Sequence, residues 1–596
     1  MLVHELLLES AHYNSDGQAL ALKSDTMSYG ELASLTDAFA HAVVRADLGP
    51  SDRVAIYLPK TFETVISFFG AARAGGVFVP VNPLLKPAQV AYILQDCNVR
   101  VLITSGERLA QLADVLRHCS DLHTVVVTGF GGGAAPDHGH VNVIGWDEFL
   151  GAGGATVRRR RIDTDMAAIL YTSGSTGNPK GVVLSHRNIV AGAQSVSSYL
   201  DNTSTDRLLA VLPFSFDYGF SQLTTAFLKG ATVVMMDYLL PRDVIRATGK
   251  HAITGLAGVP PLWNQLCKLD WPESARESLR YITNSGGAMP TATLAALRER
   301  LPNTRPYLMY GLTEAFRSTY LPPEEIDRRP TSMGKAIPNA EILVVREDGA
   351  ACAAGEPGEL VHRGALVSLG YWNDKERTEQ RFRPAPGQPD GIVLQELAVW
   401  SGDTVKLDEE GFLYFIGRKD DMIKTSGYRI SPTEIEEVVY ASGHVSEVAA
   451  LGISHPDLGQ AIVLVAVPPP GASANDDGVL AHCREQLPNF MIPSQIVWRE
   501  QSPRNPTGNT DRKSLTAELD SMFEADDRVA RANTVTLLSK ASTPRTMSWY
   551  GQGGKSPTLP TKSDIPRSTA TTATDWTGVW PSFARPCRKT YRFTMR

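Results

Sequence analysis

An apolar stretch, Met166-Ala-Ala-Ile-Leu170, runs directly into Tyr171-Thr-Ser-Gly-Ser-Thr-Gly-Asn-Pro-Lys-Gly-Val182. The first part reads as a buried strand, so the loop opens at a strand end. Gly174, Gly177 and Gly181 let the backbone turn tightly and present N–H groups to an anion. Thr172, Ser173, Ser175 and Thr176 add hydroxyl donors, and Lys180 adds a positive charge. Together they suit a polyphosphate. A Walker loop carries Ser or Thr directly after its lysine; here Gly181 follows Lys180, which excludes the ordinary kinase or NTPase loop.

The chain around this loop reads as α/β. Val54-Ala-Ile-Tyr-Leu58 and Val101-Leu-Ile-Thr104 are buried-strand patterns, with a helix expected over Glu63–Ala74 between them. Met1–Ser10 reads as an amphipathic first helix. Gly129–Pro136 and Arg158-Arg-Arg-Arg161 read as loop, the arginines as a solvated linker. From 165 to about 415, β-rich runs alternate with helical patterns, which predicts more parallel sheet. Past Gly417 the texture becomes charged and turn-rich. Val448-Ala-Ala-Leu-Gly-Ile453 and Ala461-Ile-Val-Leu-Val-Ala-Val467 then form the strands of a smaller α+β domain. The expected division is a large domain of layered, parallel-rich sheets over 1–419, a small mobile domain over 420–520, and a disordered tail over 521–596. That tail is rich in Thr, Ser, Pro and Arg and lacks periodicity.

Several classes of function are excluded. Twelve Lys/Arg against two acids after Asp527 leave the preceding residues at a net charge of about −16 within a chain total of −6, which argues against a nucleic-acid partner. No apolar run approaches the roughly 18 residues of a membrane span. The first residues carry acids and no basic leader, a poor signal peptide. The six cysteines are scattered without a C-x-x-C pair, so neither a disulfide framework nor a zinc site is implied, and a reducing cytoplasm is expected.

The loop over Tyr171–Val182 resembles the phosphate loop of the adenylate-forming superfamily of acyl-CoA synthetases, peptide-synthetase adenylation domains and luciferases. Further motifs match in order across roughly residues 5–515. Within that superfamily the chain looks similar to acyl-CoA ligases associated with exosortase and exopolysaccharide gene clusters, through Gly76–Lys86, Leu212–Gly219 and Tyr310–Tyr320. The resemblance implies activation of a carboxylic acid by ATP and Mg2+ as acyl-AMP, then transfer to a thiol of CoA or of a carrier protein's phosphopantetheine. Thr172, Ser173, Gly174, Ser175, Thr176 and Gly177 would hold the ATP phosphates with Lys180. In Tyr310-Gly-Leu-Thr-Glu314, Tyr310 would stack on adenine, Thr313 would face the α-phosphate, and Glu314, with Thr176, would hold the metal. Asp403 would bind the ribose hydroxyls and Arg418 the ribose or α-phosphate. Phe216, Asp217 and the loop Gly286-Gly287-Ala288 would line the acyl pocket. Asp420 would be the hinge, Gly427 would line the thiol tunnel after rotation, and Lys424 would serve the second half-reaction. Lys180 and Glu314 are expected to be exposed in a cleft, while Gly370-Tyr-Trp372 is read as structural framing.

Two departures carry consequences. The superfamily's C-terminal motif reads Pro-x-Gly-Lys, its lysine bridging carboxylate and α-phosphate; this chain has Pro506-Thr-Gly-Asn509, with Asp511 and Arg512 keeping the register. Asn509 carries no charge. Loss of one charge-stabilising donor costs about 10² to 10³ in rate, so adenylation is slowed, Lys513 substitutes, or the chain is a nucleotide-binding pseudoenzyme. The second departure is Phe216-Asp217, which resembles the Phe-Asp of amino-acid-activating domains, whose carboxylate binds the substrate's α-ammonium. A buried carboxylate needs a cationic partner. Either a substrate ammonium fills that need or the carboxylate is held within the protein by backbone N–H groups or a nearby arginine, so carboxylic and amino acids both stand as substrates.

Overall fold

The computed structural model describes residues 1–129, 140–151, 160–172, 179–389, 391–418, 422–425, 428–455, 458–487, 489–505 and 509–523. Four sheets organise them. The first runs in the order Asn142–Gly145, Thr124–Thr128, Val99–Ser105, Arg53–Tyr57, Val77–Pro80, Met166–Thr172, Lys180–Ser185. Its strands are parallel until the last pair, where Met166–Thr172 and Lys180–Ser185 run antiparallel with Thr172 opposite Lys180. The glycine-rich loop therefore joins two antiparallel neighbours, and its two ends are tied by register.

The second sheet has nine strands, with Arg305–Tyr310, Tyr281–Asn284, Gly255–Gly258, Arg207–Ala210 and Thr232–Met235 forming its parallel centre. The N-terminal strand Gln18–Leu22 pairs in parallel with Thr232–Met235, so the start of the chain completes a sheet built much later. Helices Tyr29–Arg45, Phe62–Arg73, His186–Tyr199 and Asp217–Lys229 contribute to one continuous core with residues of both sheets. Helix Phe62–Arg73 is buried along almost its whole length, as its near-unbroken apolar run requires. Phe69 meets Phe227, and Phe78 meets Phe220, each at 5.1 Å between ring centroids. Such contacts add to the area term that dominates a core of this kind.

The further parallel sheet expected between 165 and about 415 is found over residues 207–310 and does not continue past Tyr310. Strands Ala340–Val345, Gly358–Gly364, Leu397–Leu407, Phe382–Pro384 and Leu413–Arg418 form a five-stranded sheet whose pairs are all antiparallel. The reason is the connections. Parallel neighbours need a crossover of a dozen or more residues, usually helical, and the helix described in this stretch, Lys375–Arg381, has seven residues.

The fourth sheet contains Ile423–Thr425, Tyr428–Ile430, Glu447–His455, Gly459–Val467 and Gln495–Trp498. Alternation along Glu447–His455 sends Val448 and Ala450 into a core shared with helices Pro432–Ala441 and Asp476–Gln486. Ala449, Leu451 and Ile453 face a second cluster with Leu515 and Leu519, and Met522 and Phe523 pack against it. Packing thus continues slightly past the boundary read at 520. Residues 524–596, most of the expected tail, lie outside the described residues.

Candidate active site

Lys180, Glu314 and Tyr371 come together from three segments. Backbone bonds from Val183 to Gly370 and from Trp372 to Gly181 lay Gly370–Trp372 beside the strand that Lys180 begins. Lys180 Nζ donates to the Tyr371 hydroxyl at 3.4 Å, and that hydroxyl donates to Glu314 Oε1 at 2.5 Å. Nζ itself stands 4.0 Å from Oε1 and 4.7 Å from the ring centroid of Tyr371. Burial pulls the Lys180 ammonium below its usual range, with Glu314 opposing that shift. Glu314 lies in a single 3-10 turn, Thr313–Ala315, which ends at Phe316 with φ +53°. A bulky residue held in that region is strained and must be over-determined by its surroundings; Phe316 is fully buried, its ring packed on Gly192. The expectation of exposure is corrected here. Glu314 is 9% exposed and Lys180 half-buried, because the Tyr371 ring covers one and its hydroxyl bonds the other.

Asp403 is buried between Tyr310, whose hydroxyl donates to Oδ2 at 2.5 Å, and Arg418, whose Nε stands 3.2 Å from Oδ1. Asp403 and Arg418 are direct partners across two antiparallel strands. Oδ1 faces the guanidinium but accepts no well-aligned hydrogen bond among the described residues. Burial pushes the Asp403 carboxyl above the usual carboxylate range, and Arg418 draws it back. A buried carboxylate oxygen short of donors suits a pair of ribose hydroxyls.

In the loop expected to line the acyl pocket, Gly286 adopts φ +80°, open to glycine without strain. A Cβ there would stand 3.4 Å from Val259, 3.7 Å from Phe216 Cζ and 3.8 Å from Asn509 Nδ2. Gly287 and Ala288 are exposed on the same loop, which Asn284 fastens by donating to the Gly287 carbonyl at 2.9 Å. Asp217 begins the helix Asp217–Lys229 and is buried, its Oδ2 3.1 Å from Arg317 Nη1. Arg317 is therefore the cation that this carboxylate needs.

The sequence matches the AMP-binding enzyme family over residues 7–372 and the AMP-binding enzyme C-terminal domain over 434–509. This chain belongs to the AMP-binding enzyme family. It is 29% identical over 546 residues to the long-chain-fatty-acid–CoA ligase of Salmonella typhimurium, covering 86% of this chain and 94% of that ligase. It is also 28% identical over 537 residues to tyrocidine synthase 3 of Brevibacillus parabrevis, matching 89% of this chain but spanning only 8% of the synthase. Among solved structures, ATP-bound MatB from Rhodopseudomonas palustris superposes with TM-score 0.76 at 25% identity over 88% of this chain and 100% of that one. The o-succinylbenzoate CoA synthetase of Bacillus subtilis, in complex with the acyl-adenylate OSB-AMP, gives 0.72 at 25% identity over 86% and 97%.

Set on the family pattern, the structure brings Lys180, Thr313, Glu314, Tyr310, Asp403 and Arg418 onto neighbouring loops and strand ends, and Phe216, Gly286 and Asn509 to one point. Ser173–Gly177, Asp420 and Gly427 lie outside the described residues, as does the side chain of Lys424, whose backbone sits in the strand Ile423–Thr425. Lys513 stands exposed on the helix Arg512–Leu519. Three residues escape the sequence reading. A framing role for Tyr371 is too small, since its hydroxyl links Lys180 to Glu314. Arg317 lies within a family-like motif that gives it no role. Arg381 interacts electrostatically with both Glu314 and Asp403, and its Nη1 donates to the Trp400 carbonyl at 2.9 Å. The Gly-Tyr-Trp signature could have exposed Tyr371, since a tyrosine beside a buried strand seeks a polar partner. Among the described residues no three His, Cys, Asp or Glu side chains cluster as a metal site. Glu314 nonetheless fits Mg2+: it offers a hard oxygen, and its hydrogen bond from Tyr371 and its approach to Lys180 both fall on Oε1. No helix among the described residues is long and apolar enough to cross a membrane.

Proposed function

We propose that this chain is an AMP-forming ligase that activates a carboxylic acid with ATP and passes the acyl group to the thiol of CoA. A carboxylate oxygen attacks the α-phosphorus, the bond to the β,γ-pyrophosphate breaks, and the acyl-AMP then exchanges its AMP for the thiol. The observation that carries this reading is that Asn509, from the C-terminal motif, comes to Gly286 of the acyl loop, its Nδ2 lying 3.8 Å from where a Cβ on that glycine would stand, with Phe216 Cζ 3.7 Å from the same point. Two distant parts of the chain converge where carboxylate and α-phosphate must meet.

Thr172, Ser173, Gly174, Ser175, Thr176, Gly177 and Lys180 bind the phosphates, Thr313 faces the α-phosphate, and Tyr310 stacks on adenine. Asp403 and Arg418 orient the ribose. Glu314 and Thr176 would hold Mg2+, which would supply positive charge to the phosphate oxygens. Asn509 donates from its amide where relatives use a lysine. Residues 1–419 form the core domain, and 420–520 rotate about Asp420 to bring Gly427 and Lys424 to the thioester step. Pairing of Asp217 with Arg317 favours an acid without an α-ammonium, and the near-complete span of the CoA ligases above favours CoA over a carrier protein. A cytoplasmic location goes with that acceptor.

Pyrophosphate exchange into ATP over a panel of carboxylic and amino acids tests this directly, followed by thioester formation with CoA or a phosphopantetheinylated carrier. Acid-dependent exchange is expected. Nucleotide binding without exchange for any acid would make the chain a pseudoenzyme, and exchange with amino acids alone would restore the peptide-synthetase reading.

A further inference from the structure

The helix Pro87–Asp96, distant in sequence from the catalytic cluster, is bonded to both stems of the phosphate loop. Where the strand Met166–Thr172 ends, the Tyr171 hydroxyl donates to Asp96 Oδ2 at 2.5 Å. Where the chain returns, the Tyr92 hydroxyl donates to the Pro179 carbonyl at 3.3 Å, one residue before Lys180. The end of the same helix also holds the segment that carries Tyr371. The Asp96 carbonyl, an acceptor of the kind a helix end leaves unpaired, accepts from Trp372 Nε1 and Asn373 Nδ2, each at 2.9 Å. Trp372 follows Tyr371, whose ring lies by Lys180 and whose hydroxyl bonds Glu314. Tyr171 and Trp372 close on one spot: a Cβ on Gly181 would stand 3.1 Å from Tyr171 Cζ and 3.3 Å from Trp372 Cβ.

Asp96 thus ties two segments at once, its carboxylate taking Tyr171 and its carbonyl taking Trp372. It is half-buried; burial pushes its carboxyl above the usual carboxylate range, and the Tyr171 hydroxyl opposes that shift. A hydrogen bond to a charged acceptor is stronger than a neutral one. Backbone pairing sets the register of the two stems and of Trp372. The bonds to Asp96 fix them against a helix anchored in the core by Val90, Ile93 and Leu94. Phosphoryl transfer depends on such positioning, and a misplacement of about 1 Å can cost about 10²-fold.

Resting on the adenylation reading above, we infer that Asp96 is a positioning residue for ATP, holding the phosphate-loop stems and the Tyr371 segment in the arrangement that receives the triphosphate. The thioester step starts from an acyl-adenylate and handles no polyphosphate, so it should not depend on Asp96. The test compares the affinities of the full-length chain for ATP with Mg2+ and for AMP by calorimetry, beside pyrophosphate exchange and thioester formation from a supplied acyl-adenylate. Asp96→Ala is expected to weaken ATP binding and to lower kcat/KM for ATP roughly 10- to 100-fold, the span of one hydrogen bond to a charged group. AMP affinity and the thioester step should stay at the wild-type level. Asp96→Asn keeps an oxygen acceptor for the Tyr171 hydroxyl and should recover most of the loss. Tyr171→Phe removes the donor but leaves the ring beside Gly181; it should reproduce the Asp96→Ala pattern, and it carries the test if Asp96→Ala does not fold. Unchanged ATP affinity in Asp96→Ala, a loss shared equally by AMP and by both half-reactions, or a loss that Tyr171→Phe does not share would each overturn the assignment while leaving adenylation standing. Absence of exchange with every acid in the wild type would overturn the adenylation reading, and the contrast between ATP and AMP would still decide the role of Asp96.

Discussion

Glu437 Oε1 stands 3.0 Å from the backbone nitrogen of Thr291 and 2.7 Å from its hydroxyl, accepting a hydrogen bond from each. Thr291 opens the helix Thr291–Arg300, whose N-cap is Pro290 and carries no side-chain acceptor. The cap is supplied instead from the helix Pro432–Ala441. A carboxylate at a helix N-terminus satisfies orphan N–H groups and meets the positive end of the dipole. The same arrangement that brings Asn509 to the acyl loop is therefore fastened by Glu437.

Loss of that cap should unbalance the two half-reactions. An N-cap interaction contributes about 1 kcal/mol, or roughly fivefold in an equilibrium. Glu437→Ala is expected to slow acid-dependent pyrophosphate exchange by about that factor. Thioester formation from a supplied acyl-adenylate should not slow. Equal slowing of both steps would show that Glu437 supports the fold and not one arrangement of it.

Tyr371 offers a sharper test of the catalytic cluster. Tyr371→Phe keeps the ring over Lys180 and removes the hydroxyl between Nζ and Oε1. Hydrogen bonds to charged groups contribute about 1.5–3 kcal/mol, so kcat/KM for ATP should fall roughly 10- to 100-fold with little change in Tm. Glu314→Ala should abolish exchange altogether. Because Glu314 is buried, its folded state must be checked by circular dichroism before the loss is assigned to chemistry. Full activity in folded Glu314→Ala would remove it from the metal site.

How far the sequence can be read depends on how local each feature is. The strand before the phosphate loop, the helix over Phe62–Arg73 and the strands of the small domain follow from apolar periodicity within a few residues. The antiparallel sheet after Tyr310 escapes such a reading because alternation of short strands does not reveal direction; connection length does. The functional misses are long-range pairings. Tyr371 meets Glu314 across 57 positions and Arg317 meets Asp217 across 100. Neither residue announces its partner, whereas the requirement that Asp217 find some cation is already contained in its burial.

Asn509 remains the largest departure from the family pattern. Its amide nitrogen lies within van der Waals reach of a side chain grafted on Gly286, so the position is close to the acyl loop without a charge. Asn509→Lys is expected to accelerate adenylation by about 10² and to leave the thioester step unchanged. No gain in a fast wild type would mean that another donor already serves, and Lys513→Ala would then be expected to slow exchange.

The first helix gives the fold a defined acid limit. His4 and His186 are buried with ring centroids 6.2 Å apart, and His186 Nδ1 accepts a hydrogen bond from the Val3 backbone at 3.1 Å. Burial depresses both imidazoles below the usual 6.5, His4 to about 3 and His186 to about 4. In the unfolded chain both titrate near the ordinary value. Between those limits the unfolded state binds more protons, so stability falls as pH falls. It is fully present above about pH 6.5 and declines toward pH 4, at up to about 1.4 kcal/mol per pH unit for each group. Protonation of His186 Nδ1 also removes the acceptor that docks Val3. Urea midpoints measured from about pH 8 to 4.5 should fall steeply below about 6.5. The variant His4→Leu/His186→Asn, whose amide oxygen can still accept from Val3, should flatten that fall. An equally steep fall in the variant would place the acid sensitivity elsewhere.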